Sequence, residues 1–377
     1  MKIGIFGGTF DPIHNDHISL ARTAKKELGL DLLYIVPAYV SPLKAVRTST
    51  SPVDRMNMLK LVFNEPDEEI SDFEIKKGGQ SFTFETVLYF KKLHKKDKLY
   101  LIIGGDSLSD FDKWKNPDVI TQNAEVVACD RETNYTDFEK ESKRFKKNFG
   151  KNFIKLTYSG SELSSTKVRM YSSFSLPLDG LVPESVANYI TEKNLYKSNP
   201  YFEYLKENLP QDRLVHTANV VVASLKKGQK LGLSYEKIVM AASLHDMAKY
   251  IDPDTVEGFK YKGIPKQVVH AYLGAYLMET NFGITDKDVL DAVRYHTTAK
   301  APMTTLGKLI FVADMIEAGR KYDGVDELRK TFYTKSIDEA FVAGLKEEIS
   351  HITAKGYELF TETINAYNYY VKKGGKK

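Results

Sequence analysis

The residues able to do chemistry in this 377-residue chain fall into two sets. The first is packed into Gly7-Gly-Thr-Phe-Asp-Pro-Ile-His14-Asn-Asp-His17, directly after a short apolar run. Gly7 and Gly8 let main-chain N–H groups approach a phosphate closely. His14 and His17 are three apart and share a face if a helix begins near Ile13. Two imidazoles at a helix N-terminus, where the dipole also favours anions, make a polyphosphate site. A tight turn with two surface histidines fits the spacing equally well. Neither a Walker A pattern nor G-x-G-x-x-G occurs, so two common phosphate loops are excluded.

The second set is spread along the later half. His216, His245 with Asp246, His270, His296 and Asp314 each lie in or beside an apolar stretch with helical spacing. Isolated buried charge is costly and survives when it is paired or bound to metal. One such histidine is usually a satisfied core residue; four of them with two aspartates are explained more economically by a shared ligand. Imidazole and carboxylate donors suit Fe, Mn, Co or Zn. Adjacent helix residues point about 100° apart, so His245 and Asp246 serve one site together if Asp246 bridges towards a second metal. Lys249, one turn after His245, is within reach of a substrate phosphate. His351 has charged neighbours and reads as a surface residue.

The elements that must position these sets differ between the halves. Residues 1–197 alternate β-rich runs (2–6, 32–38, 99–105, 125–130 and 153–159) with helical ones. That alternation predicts an α/β domain with a mostly parallel sheet, whose ligands bind at the carboxyl ends of the strands. Both GGTFDPIH and Gly104-Gly-Asp-Ser107 fall there. From about residue 201 the apolar spacing is helical throughout, which predicts an all-α domain. The polar segment Tyr196–Pro200 is the expected boundary, giving domains 1–197 and 198–377. The tail Lys372–Lys377 is expected to be disordered.

Composition narrows the classes. Hydrophobic residues are 42% and charged residues 28%, as in folded soluble proteins. A net charge of +4 is too weak to argue for nucleic acid. No apolar run approaches the ~20 residues of a membrane helix, and the N-terminus lacks a signal-peptide pattern. The single cysteine, Cys129, excludes intrachain disulfides and Cys-based zinc sites and fits a reducing, cytoplasmic setting.

GGTFDPIH-x-x-H is followed in order by Ser41-Pro-Leu-Lys44, Ser81–Thr86, Gly105-Asp-Ser107 with Phe111 and Trp114, Arg131, and Ser164–Arg169. With these, residues 1 to about 197 resemble the adenylyl-transferring nucleotidyltransferases, most closely the bacterial nicotinate-nucleotide adenylyltransferases. The resemblance implies a Rossmann-like fold and the reaction of nicotinate mononucleotide with ATP to give nicotinate adenine dinucleotide and pyrophosphate. Mg²⁺ travels with ATP, and no protein nucleophile is implied. By position, Gly7, Gly8, Thr9 and Phe10 form the ATP loop, and His14 and His17 contact its phosphates. Lys44 neutralises charge there, Asp106 holds the ribose, and Ser164, Ser165, Thr166 and Arg169 form a second phosphate site. Thr83, Trp114 and Arg131 take the nicotinate ring and carboxylate. Trp114 as a packing residue and Arg131 as a surface charge stay open. Family members usually carry Gly between the histidines; here Asp16 stands there, able to cap the helix or repel the triphosphate.

The order H…HD…H…H…D resembles the HD-domain metal phosphohydrolases. The stretch YHTTAKAPMTTLGKLIFVADMIEAGRKYDG narrows this to the symmetrical diadenosine tetraphosphate hydrolases, over about 205–345. The resemblance implies two metals, with iron favoured. One is held by His216, His245, Asp246 and Asp314, the other by Asp246, His270 and His296. It implies hydrolysis to two ADP, with water activated between metals ~3.5–4 Å apart and Lys249 and Arg320 on the polyphosphate. The family's Y-H-T-T-G reads YHTTA here, so a positive φ would strain Ala299. Action on another nucleotide, or a regulatory nucleotide sensor, is the alternative for this half. The expected partners are small nucleotides (ATP, nicotinate mononucleotide and diadenosine tetraphosphate), without nucleic acid or membrane; a homo-oligomer is compatible.

Overall fold

A computed structural model describes residues 1–40, 50–131, 137–197 and 199–372, with the side chains of Asp106, Asp130, Arg131, Ser159 and Lys372 outside that description. The chain divides into two compact units. The first holds residues 1–172 and 177–197, and the second holds 173–176 with the residues after 197.

The first unit is built on six strands: β1 (Lys2–Gly8), β2 (Leu32–Pro37), β3 (Glu68–Ile70), β4 (Lys98–Gly104), β5 (Glu125–Arg131) and β6 (Ile154–Gly160). Their order is β3-β2-β1-β4-β5-β6, and every pairing is parallel. Alternate side chains feed opposite faces, as a pleated strand requires. Ile3, Ile5, Tyr34, Val36, Leu99, Leu101 and Ile103 pack on one side, and Phe6, Leu33, Ile35, Tyr100 and Ile102 on the other. β3 was not expected from the sequence: it is three residues long, and two of them are glutamates. The strand order reverses between β1 and β4, and that crevice is where open α/β sheets bind ligands. Four helices matter to it: α1 (Asn15–Leu28), α2 (Pro52–Lys60), α3 (Thr83–Leu93) and α4 (Ser165–Ser173).

The second unit is helical. Its site is framed by α5 (Gln211–Gly228), α6 (Tyr235–Leu244), α7 (Val269–Phe282), α8 (Lys287–Arg294), α9 (Thr305–Ile316) and α10 (Ile337–Ala354). Ser234, Asp286, Thr304 and Ser336 cap helix starts by accepting from N–H groups two or three residues on. Gly228 lets α5 approach α6, since a Cβ there would lie 2.5 Å from Ile238. Two expected helices stop short. α6 ends at Leu244 and α8 at Arg294, so His245–Lys249 and His296 sit in turns. Met247 N–H bonds Leu244 O at 3.2 Å and Lys249 N–H bonds Asp246 O at 2.9 Å, both three residues back. No described helix is long and apolar enough to cross a membrane.

Candidate active sites

In the first unit the loop after β1 turns sharply at Phe10, with φ 50°. Its ring packs edge-on against Phe6 at 5.3 Å and His17 at 5.2 Å. Gly8 makes room for that ring, because a Cβ would stand 2.8 Å from it; at Gly7 the nearest atom would be 4.0 Å away. The two glycines therefore differ: Gly8 is needed for packing, and Gly7 lies on the more open side. α1 begins at Asn15, with His14 as its N-cap accepting from His17 N–H at 3.4 Å. The two imidazoles stack, with centroids 3.6 Å apart.

The segment Ser164–Arg169 lies against this loop. Ser165 Oγ donates to Pro12 O at 2.9 Å, and Arg169 Nη1 to Asp11 O at 2.7 Å. Arg169 Nη2 also reaches Thr166 Oγ1 at 3.2 Å, while Ser164 Oγ caps α4 by accepting from Lys167 N–H at 3.2 Å. The Asp11 carboxylate takes hydroxyls from Thr50 at 2.5 Å and Tyr196 at 2.9 Å. Asp16 does not cap α1. Its carboxylate accepts from Ser161 Oγ at 3.0 and 3.1 Å and from Tyr158 OH at 3.4 Å, at the end of β6. Burial, and then Asp16, push the Tyr158 phenol up to about 12. Thr83 opens α3. Trp114 packs 5.1 Å from Phe111, with its Nε1 buried and without a hydrogen-bond partner among the described residues. Lys44 lies outside the described residues, as do the side chains of Asp106 and Arg131.

In the second unit all six expected ligands converge. Asp246 divides them. Its Oδ1 faces His270 Nε2 at 3.1 Å and His296 Nε2 at 3.5 Å; its Oδ2 faces His245 Nε2 at 3.6 Å and His216 Nε2 at 3.9 Å. Asp314 Oδ1 is 3.1 Å from His216 Nε2. His245 and His296 each turn Nδ1 to a main-chain carbonyl, Ala242 and Val293, both at 2.7 Å. An Nδ1–H donated there leaves the Nε2 lone pair pointing inward. Lys249 Nζ is 3.1 Å from His270 Nε2. Arg213 Nη1 donates to Asp246 Oδ2 at 3.0 Å, and Arg320 Nη2 to Asp314 Oδ1 at 2.5 Å. Arg320 is thus engaged with the carboxylate of a candidate ligand. Ala299, where the pattern has Gly, is buried with φ 57°.

The comparisons with known proteins divide along the same line. The family model for cytidylyltransferase-like proteins matches residues 5–171, and that for the HD domain matches residues 213–319. A Clostridium tetani protein described as a probable nicotinate-nucleotide adenylyltransferase is 38% identical over 200 residues, covering 52% of this chain and 99% of that protein. The chain belongs to the nicotinate-nucleotide adenylyltransferase family. Its adenylyltransferase half is joined to an HD domain. A Mycoplasma genitalium protein described as a probable nicotinate-nucleotide adenylyltransferase/Ap4A hydrolase matches across both, at 29% identity over 360 residues, 92% of this chain and 97% of that one. A Clostridium acetobutylicum crystal structure, described as a predicted HD superfamily hydrolase involved in NAD metabolism, is 31% identical, covering 45% of this chain and 95% of that one with a TM-score of 0.41.

The HD donor set of this adenylyltransferase-family chain fits divalent metal. Asp246 Oδ1 and His296 Nε2 are buried and, despite their close contacts, make no well-aligned hydrogen bond among the described residues. His216 and His245 bring their Nε2 atoms to 3.3 Å, although their Nδ1 atoms face acceptors. Two lone pairs cannot face each other without a cation or proton between them. Burial opposes charge on His216, but its hydrogen bonds to Asp314 and Glu317 outweigh it and raise its pKa. His245 goes the other way; burial takes it down to about 4. Asp314 sits well below the usual carboxylate range, because His216 and Arg320 overcome its burial. Sequence reasoning missed Arg213 and Glu317, which hold the candidate ligands Asp246 and His216. An acidic residue three places after Asp314 was the available signal for Glu317.

Proposed function

We propose that the chain carries two activities on adenylate-bearing polyphosphates. The unit on the parallel sheet transfers the adenylyl group of ATP to nicotinate mononucleotide, giving nicotinate adenine dinucleotide and pyrophosphate. The helical unit hydrolyses diadenosine tetraphosphate to two ADP. The single observation that carries this reading is the continuous match to one two-named relative over 92% of the chain.

In the first reaction the protein aligns and neutralises; no side chain becomes covalent. His14, His17, Gly7 and Thr9 receive the phosphates of Mg²⁺-bound ATP, with Lys44 beside them. Ser164, Ser165, Thr166 and Arg169 hold the same chain of phosphates from α4. Asp106 takes the ribose, and Thr83, Trp114 and Arg131 take the nicotinate. The proximity of Ser165 to Pro12, 2.9 Å, and of Arg169 to Asp11, 2.7 Å, supports a single phosphate channel.

In the second reaction His216, His245, Asp246 and Asp314 would hold one metal, and Asp246, His270 and His296 another. The family resemblance points to iron, with Mn, Co and Zn compatible. Two divalent cations there would acidify a water and neutralise the attacked phosphate. Asp246 would serve both metals, Glu317 would fix the tautomer of His216, and Lys249 would hold the polyphosphate. The single buried Cys129 fits a reducing cytoplasm.

Product analysis tests the reading. Metal-loaded protein is incubated with diadenosine tetraphosphate and the nucleotides are separated by ion exchange. ADP alone is expected. ATP with AMP, or no turnover, removes the proposed cleavage.

A further inference from the structure

Arg55 lies in α2 and is wholly buried, at 0% exposure. Its Nη1 donates to Thr9 O at 2.7 Å and to Ala38 O at 2.6 Å, and its Nη2 reaches Tyr39 O at 3.4 Å. Those carbonyls leave the carboxyl ends of β1 and β2, so one guanidinium clamps two loops at the nucleotide end of the sheet. Its Nε is buried without a hydrogen-bond partner among the described residues. Every partner described for this cation is therefore a neutral carbonyl.

A guanidinium out of water with no anion bonded to it is costly. Asp11 is the acidic group acting on it, but that carboxylate already takes the hydroxyls of Thr50 and Tyr196. Burial still holds Arg55 below its ordinary range, with Asp11 and Tyr196 only opposing. If carbonyl clamping were the sole need, a neutral donor would meet it without the cost of burying charge. The clamped stretch runs from Thr9 straight into the His14 cap.

We infer that Arg55 is a positioning residue for adenylyl transfer, whose buried positive charge is balanced by the triphosphate of the incoming nucleotide. This rests on the adenylyltransferase reading above. Arg55 shapes the loop through Thr9 and draws the anion through its field, without contacting the reacting atoms.

Steady-state transfer kinetics on the full chain test it, since they report only the first site. Arg55→Gln is expected to raise KM for ATP about ten-fold or more, and KM for nicotinate mononucleotide by less than about three-fold. Arg55→Lys keeps the charge and is expected to stay near wild type at about pH 7.5, then to lose ATP affinity towards about pH 9.5 as its buried ammonium discharges, relative to a wild-type profile run alongside. Parallel rises in both KM values, equal losses in the two variants at about pH 7.5, or unchanged kinetics in both would overturn the inference. If Arg55→Gln does not fold, the pH profile of Arg55→Lys decides alone: a profile parallel to wild type overturns it. Absence of transfer in the wild-type protein would instead sink the adenylyltransferase reading.

Discussion

Glu317 Oε1 lies 3.2 Å from Nδ1 of His216, on the far side of the imidazole from the other ligands. The carboxylate can only accept, so it holds the proton on Nδ1 and keeps Nε2 free for the site. Gly319 N–H in turn donates to Glu317 Oε2 at 2.6 Å, which fixes the carboxylate. Glu317→Gln is expected to weaken metal binding by about 10- to 100-fold. Chelator competition measures it. Unchanged affinity would mean that the ring is oriented by packing alone.

Asp246→Ala removes the carboxylate that both halves of the ligand set share. Diadenosine tetraphosphate hydrolysis is expected to vanish while adenylyl transfer continues at the wild-type rate. Both rates are read on one preparation, with circular dichroism as the folding control. Loss of transfer in a folded protein would show that the two sites are not independent.

The sequence disclosed most of what the periodicities control. Five of the six strands were legible because β-branched and aromatic runs end in turn residues, whereas β3 is a short Glu-Glu-Ile with no such signature. The helical half was legible as helical, but not where its helices end. Leu244 to Lys249 keeps an apolar helical pattern, yet the chain there adopts turns three residues wide that aim His245 and Asp246 together. The six candidate ligands stood out because imidazole and carboxylate in apolar sequence need a reason. Their supports were not: Arg213 is 33 positions from Asp246 and Glu317 is 101 from His216, and only the fold makes them neighbours. Arg55 was missed for the same cause, since its partners are carbonyls that carry no sequence signal. Gly8 was read as clearance for a phosphate, and its missing Cβ also clears the Phe10 ring, a packing need the sequence did not show.

Trp114 separates a binding role from a packing one. Its ring leans on Phe111, yet Nε1 is buried and has no hydrogen-bond partner among the described residues, which is unusual for an indole in a finished core. Trp114→Ala is expected to raise KM for nicotinate mononucleotide more than KM for ATP. Equal rises in both constants would assign the residue to packing.

Glu348 in α10 gives a pH-dependent prediction. Burial, with Asp314 adding repulsion and Arg320 opposing, pushes its carboxyl up to about 7. A folded value above the unfolded one of 4.5 means that its favourable contribution is complete below pH 4.5 and is lost as the pH rises through about 7. The full swing is at most about 3 to 4 kcal/mol, by the usual conversion of a pKa shift. Glu348→Gln should therefore be more stable than the parent at about pH 8 and nearly equal to it at about pH 4.5. Chemical denaturation of the chelator-treated protein at both pH values measures the difference. A divalent cation bound at Asp314 would place positive charge nearby and shrink the gain, so the metal-loaded protein should show less of it. An equal gain at both pH values would trace the effect to uncharged packing and not to ionisation.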